Sequence, residues 1–431
     1  MHAKKLARSR QLRHFFFFFF FCFQVRGFEF DAGPSFFAGL SGPPGAPTSN
    51  PLKQVLDAVG ESVACVTYNN WVVHSPEGRY PCVCDGAAYS AMVLARGGPA
   101  AHRQWLALEA LMEPLQQGAA SCPAAALRAD PGVLLTAARL GPALLKTALL
   151  AGQLTAPIST LVDRVVTDPW LRNYLDLECF VLSGMLAKDT ICAEMAYMLS
   201  ERNSGRSTID YPLGGSKAIV EALVRGIERH GGRVLLRAPV AEVLVEGGRA
   251  AGVRLGGGGA GAAPEIIRAA RAVVSNASVW DTADLLQQSG ESGGGKGSKG
   301  GAAYAAEARA TPHTGSFMHL HLGIDAQGLP AGLDCHHLFV NSWADLEAPQ
   351  NVAIASIPTV FDPGMAPPGK AVVHAYTAAN EPWESWEGLQ SGTPEYEALK
   401  VGAASGPCAC CGPCSPCVVH ACMRAAIFWA C

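Results

Sequence analysis

The stretch from Tyr211 to Asp281 limits the fold more than any other part of the chain. Pro212-Leu213-Gly214-Gly215 leads into a helix expected over residues 216–230. Ser216 suits its N-cap, Ile219, Leu223 and Ile227 share one face, and Gly231 suits its stop. A strand is expected at residues 233–236. A hairpin then sets Val243 and Val245 against Val253 and Leu255 across Gly247-Gly248. Residues 272–277, Ala-Val-Val-Ser-Asn-Ala, read as a buried strand ending at small polar residues. A helix packed into such a succession of strands implies a mixed α/β (α+β) fold.

Size allows this. A chain of 431 residues, 49% hydrophobic and 16% charged with 47 glycines, can bury the cores of two or three domains. That balance suits a large enzyme or a protein working beside a membrane. A net charge of -3 gives no basic footprint for nucleic acid, and no apolar run approaches the ~20 residues that span a bilayer. Of the 15 cysteines, Cys408, Cys410, Cys411, Cys414, Cys417, Cys422 and Cys431 crowd the end of the chain. The others scatter without pairing rhythm, as reduced thiols do in a large intracellular protein.

Both ends read as foreign to the body. The basic start (Lys4, Lys5, Arg8, Arg10, Arg13) runs into Phe15 to Phe21, Cys22, Phe23 and Gln24. A signal peptide would have this charged and apolar order, but no small-residue cleavage site follows. Phe codons are all pyrimidine, so Phe-Phe-Cys-Phe-Gln back-translates to a polypyrimidine tract ending in CAG, as an intron ends. Residues 1–24 are therefore expected to be a non-native leader. Lys400-Val401 can be coded AAG-GTG, like a splice donor, and a Gly, Pro, Ala and Cys tail follows over 401–431. Cys411-Gly-Pro-Cys414 matches a thioredoxin motif without its strand-and-helix context. Cys408, Cys410, Cys414, Cys417 and His420 offer zinc ligands, but in no paired framework. An unstructured tail is the expectation.

Between the ends, Phe28 and Phe30 alternate with Glu29 and Asp31 as a strand entering a turn at Gly33-Pro34. Asn50-Pro51 opens a helix. Strands follow at 65–73 and 79–83 around a turn at Pro76-Glu77-Gly78. Residues 87–200 are helical with Pro and Gly interruptions. They read as an ordinary helical substrate layer, with a membrane-dipping surface as the alternative. Glu178 and Asp176 lie there, with surface or capping roles expected. Residues 256–263 and 289–303 read as low-complexity solvated loops. Strands at 316–324, 336–341, 352–357 and 371–376 suggest an antiparallel sheet. His319 and His321 share a face of the first. Two histidines so spaced could ligate a metal, but the sequence shows no third ligand, so packing or a polar wall is expected and no metal.

Four segments in this order carry a resemblance: Gly27-Phe-Glu-Phe-Asp-Ala-Gly-Pro-Ser35, Tyr211-Pro-Leu-Gly-Gly215 with its helix, Val274-Ser-Asn-Ala-Ser-Val-Trp-Asp-Thr282, and Ala366-Pro-Pro-Gly-Lys-Ala-Val-Val-His-Ala-Tyr376. The chain from about Val25 to Lys400 resembles the carotenoid isomerase, phytoene desaturase and retinol saturase flavoproteins, in their plant and algal branch. The resemblance implies part of a Rossmann-like FAD/NAD(P)-binding domain, joined to a helical and antiparallel-sheet substrate domain. Domains would run 25–83 (flavin and substrate interface), 84–210 (helical cap), 211–283 (flavin elements), 284–312 (insertion) and 313–400 (substrate sheet). It implies that the backbone of Val240 faces the adenine of FAD and that Ser275, Asn276 and Ala277 approach the dinucleotide. Asp31, Gly33, Pro34 and Ser35 would lie where the isoalloxazine meets the substrate tunnel. Taken alone, without the family's order, each reads rather as a turn glycine or a core residue.

Two family elements are missing from the sequence. No Gly-x-Gly-x-x-Gly follows a strand and opens a helix, and no C-terminal Gly-Asp segment holds the pyrophosphate. The chain is expected to be truncated and to bind FAD weakly. The implied activity is cis–trans isomerisation of a carotenoid polyene with reduced FAD, NAD(P)H being one candidate reductant. Desaturation or saturation of a polyene or retinoid is the alternative, and an inactive, at most lipid- or carotenoid-binding, remnant is another. No catalytic acid or base is identified. The resemblance also implies a plastid setting and peripheral membrane association.

Overall fold

The computed structural model describes residues 22–31, 33, 35, 37–46, 48, 50–121, 149–204, 208–256, 265–292, 299–312, 317–348, 351–377, 383–390 and 392–404. Pro34 and the cysteine-rich tail beyond residue 404 lie outside them, as does nearly all of the phenylalanine run. The chain divides into two compact units, with residues 227–314 in the first and residues 20–226 and 315–431 in the second.

The second unit is built on a mixed sheet. Its strands are β5 (Asn70–Ser75), β6 (Gly78–Val83), β11 (His319–Asp325), β12 (His336–Val340), β13 (Val352–Ser356) and β14 (Lys370–Thr377), in the spatial order β11-β14-β13-β12-β5-β6. The four late strands expected from the sequence are all present. Their sheet is not purely antiparallel, because β12 pairs in parallel with β5. The single strand expected at 65–73 is two strands in different sheets: β4 (Cys65–Tyr68) joins β3 (Phe37–Ala38) and β7 (Ile209–Pro212), whereas β5 joins the large sheet.

This unit also holds or begins the helices α1 (Pro51–Ala58), α2 (Gly86–Ser121), α3 (Ser159–Val165), α4 (Pro169–Ser183), α5 (Cys192–Asn203) and α6 (Lys217–Arg229). Asn50 caps α1 by accepting from the Lys53 amide, with Pro51 at its first position. Gly98 breaks α2 at φ 77° just before Pro99, since a residue preceding proline avoids the helical region. Val73, Tyr80, Cys82, Leu338, Val340 and Ile354 of the sheet share one core with Trp105, Leu108, Leu171, Tyr174 and Phe180 of the helices. At the edge, α6 packs Ile219 and Ala222 on Leu40 and Leu56. The β11–β14 end of the sheet face that carries Leu338 and Ile354 is covered by a hairpin of β1 (Cys22–Val25) and β2 (Phe28–Asp31). Arg26 and Gly27 turn it at φ 52° and 85°, the left-handed pair a two-residue hairpin needs.

That hairpin includes Cys22, Phe23 and Gln24 of the expected leader. Cys22, Phe23 and Gln24 pair with Asp31, Phe30 and Glu29, and Phe23 stacks on Phe30 at 5.2 Å. Alternation of side chains therefore carries three residues upstream of Val25.

In the first unit, β8 (Val240–Glu246), β9 (Arg249–Leu255) and β10 (Ile266–Arg268) form a meander. The Gly247-Gly248 turn has both residues at positive φ, and Val243 faces Val253 as expected. The helices α7 (Val279–Ser292) and α8 (Lys299–Ala310) replace much of the loop expected at 289–303. Alanine decides this: Ala305 and Ala308 bury against Ala283, and alanine is the best helix former. Residues 233–236 and 272–277, expected as strands, are in no ladder among the described residues. Leu235 is half exposed and Val274 nearly fully so. A strand needs a neighbour to satisfy its backbone, and apolar content supplies none. The unit boundary also falls inside α6, so 211–226 sort with the sheet unit rather than with 227–283. The chain's final described helix is α9 (Pro394–Ala404), which carries helical backbone into the first residues of the expected tail.

Candidate functional site

Two of the four segments singled out in the sequence meet at the Asp31 carboxylate. Asp31 ends β2 and is buried. Its Oδ1 accepts from the Ser216 amide at 2.8 Å, the Ser216 hydroxyl at 2.9 Å and the Cys22 thiol at 3.1 Å, and its Oδ2 accepts from the Tyr211 hydroxyl at 3.1 Å. Ser216 thus occupies the cap position of α6, with its hydroxyl turned to Asp31. Gly215, at φ 70°, leaves the space: a Cβ there would stand 2.5 Å from Oδ1. Tyr211 also reaches the Met365 sulfur, at 2.6 Å, just before Ala366-Pro367. Burial, reinforced by the Asp31 charge, pushes the Cys22 thiol up to about 12 and the Tyr211 phenol above its ordinary range. Neither titrates near neutrality.

A second polar thread lies in the same unit. Ser35 and Ser356 share a hydrogen bond of 3.1 Å, and Ser356 meets the buried His336 Nδ1 at 2.9 Å. His336 stacks on Tyr68 at 5.3 Å. Burial first, then the neighbouring His337, lowers His336 to about 3.

The sheet face under the hairpin carries a row of imidazoles. His321 stands directly opposite His374 across β11 and β14, and His319 is two residues before His321. The rings stack, His321 on His374 at 4.3 Å and His319 on His374 at 5.2 Å. His321 Nε2 donates to the Asp31 carbonyl at 3.0 Å, which ties this row to the carboxylate knot. Burial lowers His374 to about 2, the nearby imidazoles adding to it, while His319, exposed on one side, is lowered to about 4 by desolvation of its ring against its neighbours and by His321. All are neutral at pH 7.

Asp176 accepts the Ala187 amide at 2.9 Å beyond the end of α4. Glu178 is not a surface group. It is buried and bonds the Arg202 guanidinium at 2.5 Å and the Tyr89 hydroxyl at 2.8 Å, while Arg202 lies 3.8 Å over the Tyr89 ring. A charge inside an apolar helical layer requires this pairing, and helical spacing alone did not reveal it.

In the first unit, Val240 opens β8 partly exposed, followed by a bulge. Ser275 and Asn276 are exposed rather than buried. The Ser275 hydroxyl meets Thr282 at 2.7 Å and accepts the Ala277 amide at 3.4 Å. Asp31, Gly33 and Ser35 belong to the other unit, where Asp31 and Ser35 are buried and Gly33 is half-buried at φ 150°. The carboxylate knot's partners were missed by sequence reasoning, although Tyr211 and Ser216 stood in a quoted segment. Their separation of 180 and 185 residues from Asp31 hides the contact.

Comparison with known proteins follows from this geometry. A family model described as flavin containing amine oxidoreductase matches residues 137–396. The chloroplastic prolycopene isomerase of Arabidopsis thaliana is 32% identical over 257 residues, 59% of this chain and 40% of that protein. A neurosporene-forming phytoene desaturase of Cereibacter sphaeroides is 34% identical over 117 residues, 27% of this chain and 20% of that protein. The chain thus spans about two fifths of the length of the isomerase it matches. An oxidoreductase from Methanosarcina mazei shares the fold with a TM-score of 0.54 at 15% identity, over 89% of this chain and 74% of that one.

Proposed function

Because this chain belongs to the flavin containing amine oxidoreductase family, we propose that it is a carotenoid cis–trans isomerase-like protein acting on a polyene with reduced FAD. The observation that carries this reading is the Asp31 knot. There Asp31 accepts from Tyr211 and Ser216, which joins two of the segments through which the chain resembles carotenoid isomerases, and 32% identity to a prolycopene isomerase supports it.

The residues present fit part of an FAD. Val240, Ser275 and Asn276 offer exposed backbone and small polar side chains, which let a planar adenine or a dinucleotide approach. Asp31, saturated by its four donors, is a positioning residue that pins the hairpin and the Gly215 turn. No described helix opens on a Gly-x-Gly-x-x-Gly, so the pyrophosphate lacks its usual helix N-terminus. Bound FAD would supply the electron exchange that loosens one double bond for rotation. The chain's own part is to hold that backbone and to wall a polyene with apolar surface.

Incubating the purified chain with a poly-cis carotenoid, excess FAD and dithionite, and resolving products by chromatography, tests the proposal. Conversion to the all-trans isomer at unchanged mass, dependent on reduced flavin, is expected. A product lighter or heavier by two hydrogens would instead favour desaturation or saturation, the reading that the match to a phytoene desaturase supports. Polyene binding without conversion would leave a carrier. Replacing dithionite by NAD(P)H tests that reductant. Plastid residence is proposed from the relative named chloroplastic. Peripheral membrane contact is proposed from Leu94, Leu106 and Leu111, exposed on α2; no described helix is long and apolar enough to cross a membrane.

A further inference from the structure

We propose that His319, His321 and His374 form a binding site for a divalent transition-metal ion of the zinc class, with one coordination position left open. The site is distinct from the flavin reading and does not depend on it. On a strand, residues two apart share a face, and an antiparallel neighbour places a third side chain directly opposite. The structure builds that triangle: His319 and His321 on β11, His374 across from His321 on β14. One ligand atom from each lies within 4.8 Å of the others. His319 Nδ1 and His374 Nε2 are already 2.9 Å apart. The edge of a tetrahedron with metal–nitrogen bonds of about 2.0–2.1 Å is about 3.3 Å, so the pair would open by about 0.4 Å and the His321 ring would turn to bring in the third ligand.

The surroundings match a metal site better than ordinary packing. His321 donates Nε2–H to the Asp31 carbonyl, which leaves Nδ1 carrying the lone pair, the outer-shell contact that fixes a ligand's tautomer. His374 is 1% exposed, and its Nδ1 has no hydrogen-bond partner among the described residues. His319 is exposed, giving an ion an entry path and a solvent-facing fourth position. Three neutral imidazoles without a carboxylate select zinc, copper, nickel or cobalt over magnesium or calcium. An open three-histidine site holds a water that the ion can polarise.

The full chain, its accessible thiols first blocked with iodoacetamide so that the cysteine-rich tail does not compete, is titrated with zinc chloride against a chromophoric chelator. One ion per chain is expected, and His319→Gln, an exposed substitution, should weaken it by about tenfold or more. In parallel, diethylpyrocarbonate labelling read by mass spectrometry needs no variant: zinc should protect His319 and His321 while leaving the exposed His230 reactive. Absence of thiol-independent binding, unchanged affinity in a folded His319→Gln chain, or unaltered labelling of His319 would overturn the proposal.

Discussion

Glu178 shows how much rests on single residues in the helical layer. Its carboxylate, the Arg202 guanidinium and the Tyr89 hydroxyl close a buried triad. Removing one partner strands the other's charge away from water, which costs about 3–5 kcal/mol. Glu178→Ala should lose that much in urea unfolding, whereas Glu347→Ala, whose Lys188 partner is exposed, should lose under about 1 kcal/mol. His336 makes a pH prediction. Its folded value is about 3 against an ordinary 6.5, so the unfolded chain binds the proton more readily. Stability therefore holds above pH 6.5 and falls below it, by about 1.4 kcal/mol per pH unit for this group. Urea midpoints between pH 7 and pH 4.5 should show the decline, and His336→Asn should flatten it by one proton's worth.

At the scale of elements, the turn before α6 is the piece on which the knot depends. Gly215→Ala would put a Cβ 2.5 Å from Asp31 Oδ1 in a left-handed conformation that costs an L-residue about 1–2 kcal/mol by itself. The variant should unfold at lower urea, and its Cys22 should become more reactive to thiol reagents as the carboxylate is displaced. Elements with a complete local signal were legible in the sequence: the capped α1, the Gly247-Gly248 hairpin, and the strands β11 to β14. Elements whose state depends on a neighbour were not. Residues 233–236 and 272–277 have strand composition but no ladder partner among the described residues. The helix α8 was hidden by the glycine-rich stretch before it, although its own alanines favour a helix. His374, the third imidazole of the row, sits 55 residues from His319, and only the β11–β14 register reveals it. Likewise Asp31 was read as a candidate, but three of its four donors come from Tyr211 and Ser216, far along the chain.

For the whole molecule, the family is settled by the match over residues 137–396, and the sheet-and-helix architecture agrees with a solved oxidoreductase. The sequence led to that family through four short segments, because their order is preserved even where each is unremarkable alone. What composition could not show is that the segments divide between two compact units, with Val240, Ser275, Asn276 and Ala277 in one and Asp31, Gly33 and Ser35 in the other. Neither unit contains a described helix opening on a phosphate-binding glycine loop. The central claim, a partial flavin site, is tested most directly by titrating the purified chain with FAD while following flavin fluorescence, then passing the mixture through gel filtration. Saturable one-to-one binding, weaker than micromolar and lost on the column, is predicted. Failure to saturate, or a yellow protein retaining stoichiometric FAD, would contradict it.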